Sequence, residues 1–209
     1  MRAHQSACSE GLRGLVVVAC ASWLGLAAAG CGGTAASPPA AGGSASAGAA
    51  GKRAATWSLT SKAFRNNQAI PAKHTADGAD VSPDLSWSAP PKGTTEFALV
   101  CDDPDAPRGV WTHWVLYGLP AAQRGLPEAV PTTETLPKLG GAKQGRNSFG
   151  SIGYRGPAPP PGAVHHYRFR LYALNAPVTL RAGAQQAELE RAMKGHVLAR
   201  AELVGLYSR

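Results

Sequence analysis

Apolar residues along the chain cluster in short runs, and from Trp57 to Leu174 those runs have the length and composition of strands. Trp57 to Leu59 and Leu85 to Trp87 are two brief ones. Glu96 to Asp102 contains the unbroken stretch Phe97-Ala98-Leu99-Val100-Cys101, the pattern of a central strand covered on both faces. His113 to Leu119 is another strand, and His165 to Leu174 is the longest. Turn signals separate them, among them Pro90-Pro91-Lys92-Gly93 and Pro157 to Gly162. Ala121 to Asn147 has no clear period and reads as a long surface loop. Strands at short spacing without intervening helices predict an all-β sandwich core.

The period changes near the C-terminus. Leu189, Ala192 and Met193 fall on one helical face within Gln185 to Lys194, with Gly195 at its end. Val197 to Leu203 continues in similar style, so two C-terminal helices are expected to pack on the sandwich.

The N-terminal part has a different character. Arg2 and Arg13 precede the apolar run Leu15 to Ala29, which ends in Ala28-Ala29-Gly30-Cys31. A basic start, a short apolar core and small residues make residues 1–30 an export signal. The ending resembles a bacterial lipoprotein cleavage box, with Ala28 where a larger aliphatic is usual. That resemblance implies lipidation of Cys31 and a cell-envelope location. Residues 31–54 are mostly Gly, Ala, Ser, Pro and Thr, a composition that cannot bury a core and reads as a tether. Residues 55–209 remain, enough for one domain.

Charge and cysteine content narrow the function classes. The formal net charge of the 209 residues is +8, and signal cleavage would lower it by one. The basic residues are scattered, without a run or an aromatic-interleaved basic helix, so no nucleic-acid partner is expected. Cys8 and Cys20 leave with the signal, and Cys101 is a lone thiol inside an apolar strand. No intramolecular disulfide and no Cys-x-x-Cys zinc site is expected.

Candidate chemistry gathers around Asp102-Asp103-Pro104-Asp105-Ala106-Pro107, followed closely by Trp111-Thr112-His113-Trp114. Prolines in an acidic run dictate a rigid loop leaving a strand, where site residues tend to sit. In the strand from His165, strict alternation puts His165, Tyr167, Phe169, Leu171 and Ala173 on one apolar face. His166, Arg168 and Arg170 take the other face, expected to be basic and wet. The same alternation groups His113 with Val115, Tyr117 and Leu119. Two inward histidines beside an acidic loop suit metal binding, acid–base chemistry or recognition of an anion. No Gly-x-Ser-x-Gly elbow and no His-Glu-x-x-His is present, and Cys101 lies in mid-strand. Gly150-Ser151-Ile152-Gly153 lacks the context of a phosphate loop and reads as turns.

Five ordered motifs carry a family resemblance: Asp103-Pro104-Asp105-Ala106-Pro107, His113-Trp114, Gly145-x-Asn147-x-x-Gly150, Gly153-Tyr154-x-Gly156-Pro157, and His165-x-Tyr167-x-Phe169-x-Leu171-Tyr172-Ala173-Leu174. From Trp57 to Arg209 the chain resembles the phosphatidylethanolamine-binding protein family, closest to its bacterial Raf kinase inhibitor-like branch. The resemblance implies a two-sheet antiparallel β-sandwich with C-terminal helices and a small anion pocket. It assigns the pocket to Asp103, His113, His165 and Tyr167, with Asp105, Trp111, Pro107, Gly153 and Gly156 at rim and turn positions. Ala76 and Ala158 stand where bacterial members often have cysteine, and His166 replaces a common arginine. The expected function is non-catalytic binding of a phospholipid head group or related anionic small molecule by a membrane-tethered lipoprotein, with no cofactor. Two alternatives are a module that regulates a kinase or protease, its protein partner unspecified, and a metal-dependent hydrolase using His113, His165 and Asp103.

Overall fold

A computed structural model describes residues 57–209. The expected export signal (residues 1–30), Cys31 and the expected tether (31–54) lie outside the described residues. The elements run β1 (Leu59–Thr60), β2 (Gln68–Ala69), β3 (Leu85–Trp87), β4 (Glu96–Asp103), β5 (Trp111–Pro120), β6 (Gly125–Leu126), β7 (Thr135–Leu136), β8 (Ala142–Gln144), β9 (His165–Leu174), α1 (Gln186–Met193) and β10 (Val197–Tyr207). They build a three-stranded sheet, β1-β3-β6, and a seven-stranded sheet, β2-β10-β9-β4-β5-β8-β7. Among the described residues no helix is long and apolar enough to cross a membrane.

The large sheet is covered on both faces. Between the sheets, Trp87, Phe97, Leu99, Trp114, Leu116, Phe169 and Leu171 form the main core. On the opposite face, Leu189 and Met193 of α1 cover Ala98, Val100, Val115, Tyr117 and Leu174. All eight residues of β4 are buried, as its unbroken apolar run requires. Cys101 is a free, buried thiol within it.

The second expected helix is a strand. β10 pairs antiparallel with β9 from Val197↔Leu174 to Tyr207↔His165. Ala201, Leu203 and Gly205 point inward, while Arg200 and Glu202 point out. This is a period of two, written with Ala, Leu and Glu, whose helical preference is overridden by pairing along the whole of β9. Among the described residues α1 is therefore the one α-helix, started by its capping box of Gln185 and Glu188. One pairing is parallel, β10 with the two-residue edge strand β2.

The segment from Ala121 to Asn147 is not a plain surface loop. It contributes β6 to the small sheet, and β7 and β8 to the large one. Gln144 anchors it: fully buried, it accepts from Trp114 Nε1 at 2.7 Å and donates to the carbonyls of Pro131 and Thr133.

The outer face of β9 is less wet than alternation suggested. Asp102 is fully buried there, accepting from Arg168 Nε (3.1 Å), Arg170 Nη2 and Gln186 Nε2 (3.3 Å). Helix α1 lies over this cluster, so the arginines serve an interior carboxylate rather than solvent alone.

Candidate functional site

Two irregularities in β5 decide which side chains meet. Cys101 of β4 opposes Trp114, but the next residue, Asp102, opposes Thr112. His113 is therefore an extra residue in the ladder, a β-bulge. Without it, His113 would share the α1 face with Val115 and Tyr117, as strict alternation predicted. The bulge turns it instead to the side of Tyr167. A second bulge opposes Tyr117 and Gly118 to Ala98, with Gly118 at φ +73°, and it sends Leu119 back into the main core. The sequence-based grouping of His113 with Val115, Tyr117 and Leu119 is thus wrong at both ends.

The ends of β4 and β9 and the start of β5 now surround a cavity of about 310 Å³. Asp103, His113, His165 and Tyr167 line it together with Trp111 and Pro107. Asp103 Oδ2 is 2.7 Å from His165 Nδ1, and its Oδ1 accepts the backbone N–H of Asp105 at 2.9 Å. His113 Nδ1 lies 2.7 Å from the carbonyl of Arg155. A carbonyl only accepts, so Nδ1 carries the proton and the neutral ring keeps its lone pair on Nε2. The His113 and Tyr167 rings meet edge to face, 5.1 Å apart. Tyr167 is 1% exposed, and no protein group makes a well-formed hydrogen bond to its hydroxyl, although the Asp103 carboxylate and the Ala158 backbone stand close enough to act on it.

Burial sets the electrostatics. Loss of hydration holds His113 below the ordinary imidazole range, although the Arg155 carbonyl and the Asp103 charge pull the other way. Burial likewise pushes the Tyr167 phenol far above its usual range, with the neighbouring Asp103 charge adding to it. Tyr167 is thus a neutral hydroxyl near pH 7, able to donate and to accept.

Asp105, Gly153 and Gly156 do not line the cavity. Asp105 is exposed, and its Oδ2 accepts from both the backbone N–H and Nδ1 of His166, each at 2.8 Å. Partial burial acts to raise Asp105, but those two hydrogen bonds outweigh it and hold the carboxyl below its usual range. They tie the loop carrying Ala106, Pro107 and Arg108 to β9. Gly156 is required by close approach, because a Cβ there would sit 2.6 Å from the His74 carbonyl oxygen. Gly153 has φ +87° and backs onto Thr132.

Several lining residues were not picked out from sequence. Phe149 stacks edge-on against Trp111 and His113 while remaining 40% exposed. Its signal was an aromatic inside a turn sequence. Asn147 fixes that turn: its Oδ1 accepts from the Phe149 and Ser151 amides, and its Nδ2 donates to the Gly153 carbonyl. Asp80 was also missed. It accepts from the Gly156 amide (2.6 Å) and pairs with Arg155 Nε (3.1 Å), so it positions the carbonyl that orients His113. Arg108, Ala106, Ala158, Pro159 and Pro160 complete the wall.

A larger hollow of about 410 Å³ lies beside α1. There Thr112 Oγ1 and Gln186 Oε1 satisfy each other at 2.6 Å. Among the described residues, no three His, Cys, Asp or Glu side chains stand together as a metal-ligand set. No Ser, Thr or Cys lines the 310 Å³ cavity, so the His165–Asp103 pair faces no side-chain nucleophile of those types.

Fold and cavity together define a β-sandwich with a small polar-floored pocket at one end of its large sheet. The family model described as "Phosphatidylethanolamine-binding protein" matches residues 60–208, and the chain belongs to that family. A UPF0098 protein of Methanothermobacter thermautotrophicus is 49% identical over 152 residues, 73% of this chain and 99% of that protein. YbhB of Escherichia coli, also a UPF0098 protein, is 37% identical over 72% of this chain and 99% of its own length. Among solved structures, Escherichia coli YbcL, a member of the PEBP family, superposes with a TM-score of 0.70 at 31% identity. That match covers 74% of this chain and 99% of YbcL. A putative phosphatidylethanolamine-binding protein homolog of Chlamydia trachomatis gives 0.66 at 36% identity, covering 74% and 98%.

Proposed function

We propose that this protein binds a small phosphorylated or otherwise anionic head group in the cavity at Asp103, His113, His165 and Tyr167, without converting it chemically. One observation carries the reading: the Tyr167 hydroxyl is buried, faces the cavity and has no well-formed hydrogen bond to protein, only the nearby Asp103 carboxylate and Ala158 backbone. Buried hydroxyls almost always find a partner, and one left open inside a cavity is paired when a ligand or water arrives. Family membership supports a binding role of this kind. Arg108 at the rim supplies a positive charge for an anion. The lack of a side-chain nucleophile around His165 supports binding over turnover.

In this reading the protein acts in the cell envelope, anchored through a lipid on Cys31, and the tether lets the cavity meet either a membrane or soluble ligands. The lipobox-like sequence supports that placement. Calorimetric titration of the full-length protein with inorganic phosphate tests the site. Saturable binding that Tyr167→Phe weakens is expected, and no binding overturns the reading. Fractionation of Cys31→Ala tests the anchor: the protein should leave the membrane fraction or stay unprocessed.

A further inference from the structure

The large sheet leaves part of one edge open. Edge strands present unpaired backbone N–H and C=O groups, and folds blunt them by keeping edges short or covered. At one edge stands β7, two residues long. At the other, β2 is equally short and covers only Gly205 and Leu206 of the eleven-residue β10. Asn66 and Asn67 extend that cover by one residue. Asn66 Oδ1 accepts from the Val204 amide at 2.8 Å, and the Asn67 amide donates to the Val204 carbonyl at 2.7 Å. These bonds also fix the phase of the strand. Val204 points both backbone groups away from β9, and the β9 register is unbroken from Ala199 to Tyr207, so Arg200 and Glu202 do likewise. Among the described residues nothing takes up those four groups, and both side chains are exposed. The free stretch is residues 199–203, bounded by the bulge at Leu198 and by Val204.

The charges on this stretch select what can pair with it. Arg200 and Glu202 lie on the outer side of the sheet and meet each other at 3.1 Å, while Ala201 and Leu203 point into the main core. Two like charges here would repel an identical strand. Opposite charges two residues apart instead complement one that runs the other way. We propose that β10 pairs antiparallel with β10 of a second copy of this chain, about a two-fold axis at Ala201. Arg200 of each copy then lies opposite Glu202 of the other, which makes two cross-strand ion pairs. The phase agrees with the charges. Residues whose backbone groups face outward oppose one another on each side of the axis, giving four inter-copy backbone hydrogen bonds. An axis at Arg200 or at Glu202 keeps the phase but sets identical charges against each other. The axis at Ala201 also centres the free stretch. Leu198 of one copy stands level with Val204 of the other, where the edge is already closed.

This pairing joins two seven-stranded sheets edge to edge and does not use the cavity. The cavity lies at the His165 end of β9, level with Tyr207 and beyond the paired stretch. Antiparallel pairing sends the two cavities to opposite ends of the shared sheet, so each stays open. Four backbone bonds and two surface ion pairs make a small contact, which calls for a reversible equilibrium rather than a permanent dimer.

The test combines sedimentation equilibrium with amide hydrogen exchange on the full-length protein over a concentration series. A monomer–dimer equilibrium is expected. Exchange at the Arg200 and Glu202 amides should slow as concentration rises, while exchange at the β7 edge stays the same. Arg200→Glu and Glu202→Arg each turn two attractive pairs into two repulsive ones, and each should weaken dimerisation by about tenfold or more. The double exchange Arg200→Glu/Glu202→Arg restores the complement and should bring the dimer back. Phosphate binding should be the same in all four proteins, so its failure bears on the cavity and not on this interface. A monomer at every concentration overturns the proposal. So does a dimer whose Arg200 and Glu202 amides exchange as in the monomer, because another face then forms it. Loss of the dimer in both single variants without recovery in the double variant overturns the register. Should a single variant fail to fold, exchange in the unaltered protein decides the matter.

Discussion

Asp102 and Asp103 are neighbours in the chain and end up on opposite faces of β4. Asp102 has no exposed surface and is held by Arg168, Arg170 and Gln186 beneath α1. Asp103 is nearly as buried, but its partner His165 and its neighbour Tyr167 open onto a cavity. Both faces are charged, yet only one has a neutral side-chain hydroxyl left over. A polar cluster whose bonds close on themselves holds a fold together. One that stops short, facing empty space, is prepared for something else. Arg170 qualifies the contrast, since its Nε lacks a partner while its Nη2 reaches Asp102.

The contrast breaks most visibly at Asp102. Replacing it with alanine leaves two arginine head groups without their shared carboxylate, one of them largely buried. Loss of one partner of a buried ion pair costs about 3–5 kcal/mol, which urea unfolding should read directly. Phosphate affinity, measured where the variant is still folded, should change little.

A smaller effect follows from His113. Its folded form holds protons less tightly than the unfolded chain, so its neutral state adds stability above the ordinary imidazole range of about pH 6.5. That contribution disappears as pH falls through the depressed folded value. The slope for one such group is at most about 1.4 kcal/mol per pH unit. Unfolding midpoints of the ligand-free protein should fall on acidification, and His113→Asn should flatten the slope between about pH 6.5 and pH 5. An unchanged slope means that His113 is not the neutral buried ring described here.

The smallest effect belongs to Asp105 and His166. Both are exposed, and such pairs contribute at most about 1 kcal/mol. Asp105→Asn should barely move stability, yet it loosens the loop bearing Pro107 and Arg108. A two- to threefold loss of phosphate affinity, on the order of 0.5 kcal/mol, is expected by titration. An unchanged affinity shows that this clasp does not shape the cavity.

The β-rich core was readable because β4 and β9 write their burial plainly, as an unbroken apolar run and as strict alternation. β10 was not, since its inward residues are Ala, Leu and Gly, and its strand state is imposed by β9. Asp103, His165 and Tyr167 could be grouped from strand ends and parity. His113 could not be placed by parity at all, because a bulge leaves no mark in the residues flanking it. Parity grouped it with Val115 and Tyr117, and only the family resemblance set it beside Tyr167. Asp80 and Asn147 act through backbone carbonyls and amides brought from distant loops, and nothing in their immediate sequence names those partners.

The central claim is that the Tyr167 hydroxyl is left open for a ligand rather than for the fold. Thermal unfolding of the wild type and Tyr167→Phe, each with and without phosphate, tests it most directly. Without phosphate the variant should unfold at the same temperature or slightly higher, because a buried hydroxyl without a partner adds nothing to the fold. Phosphate should raise the midpoint of the wild type in proportion to its binding, and raise that of the variant clearly less. A variant that unfolds well below the wild type without phosphate, yet shows the same phosphate-induced rise, would contradict the account.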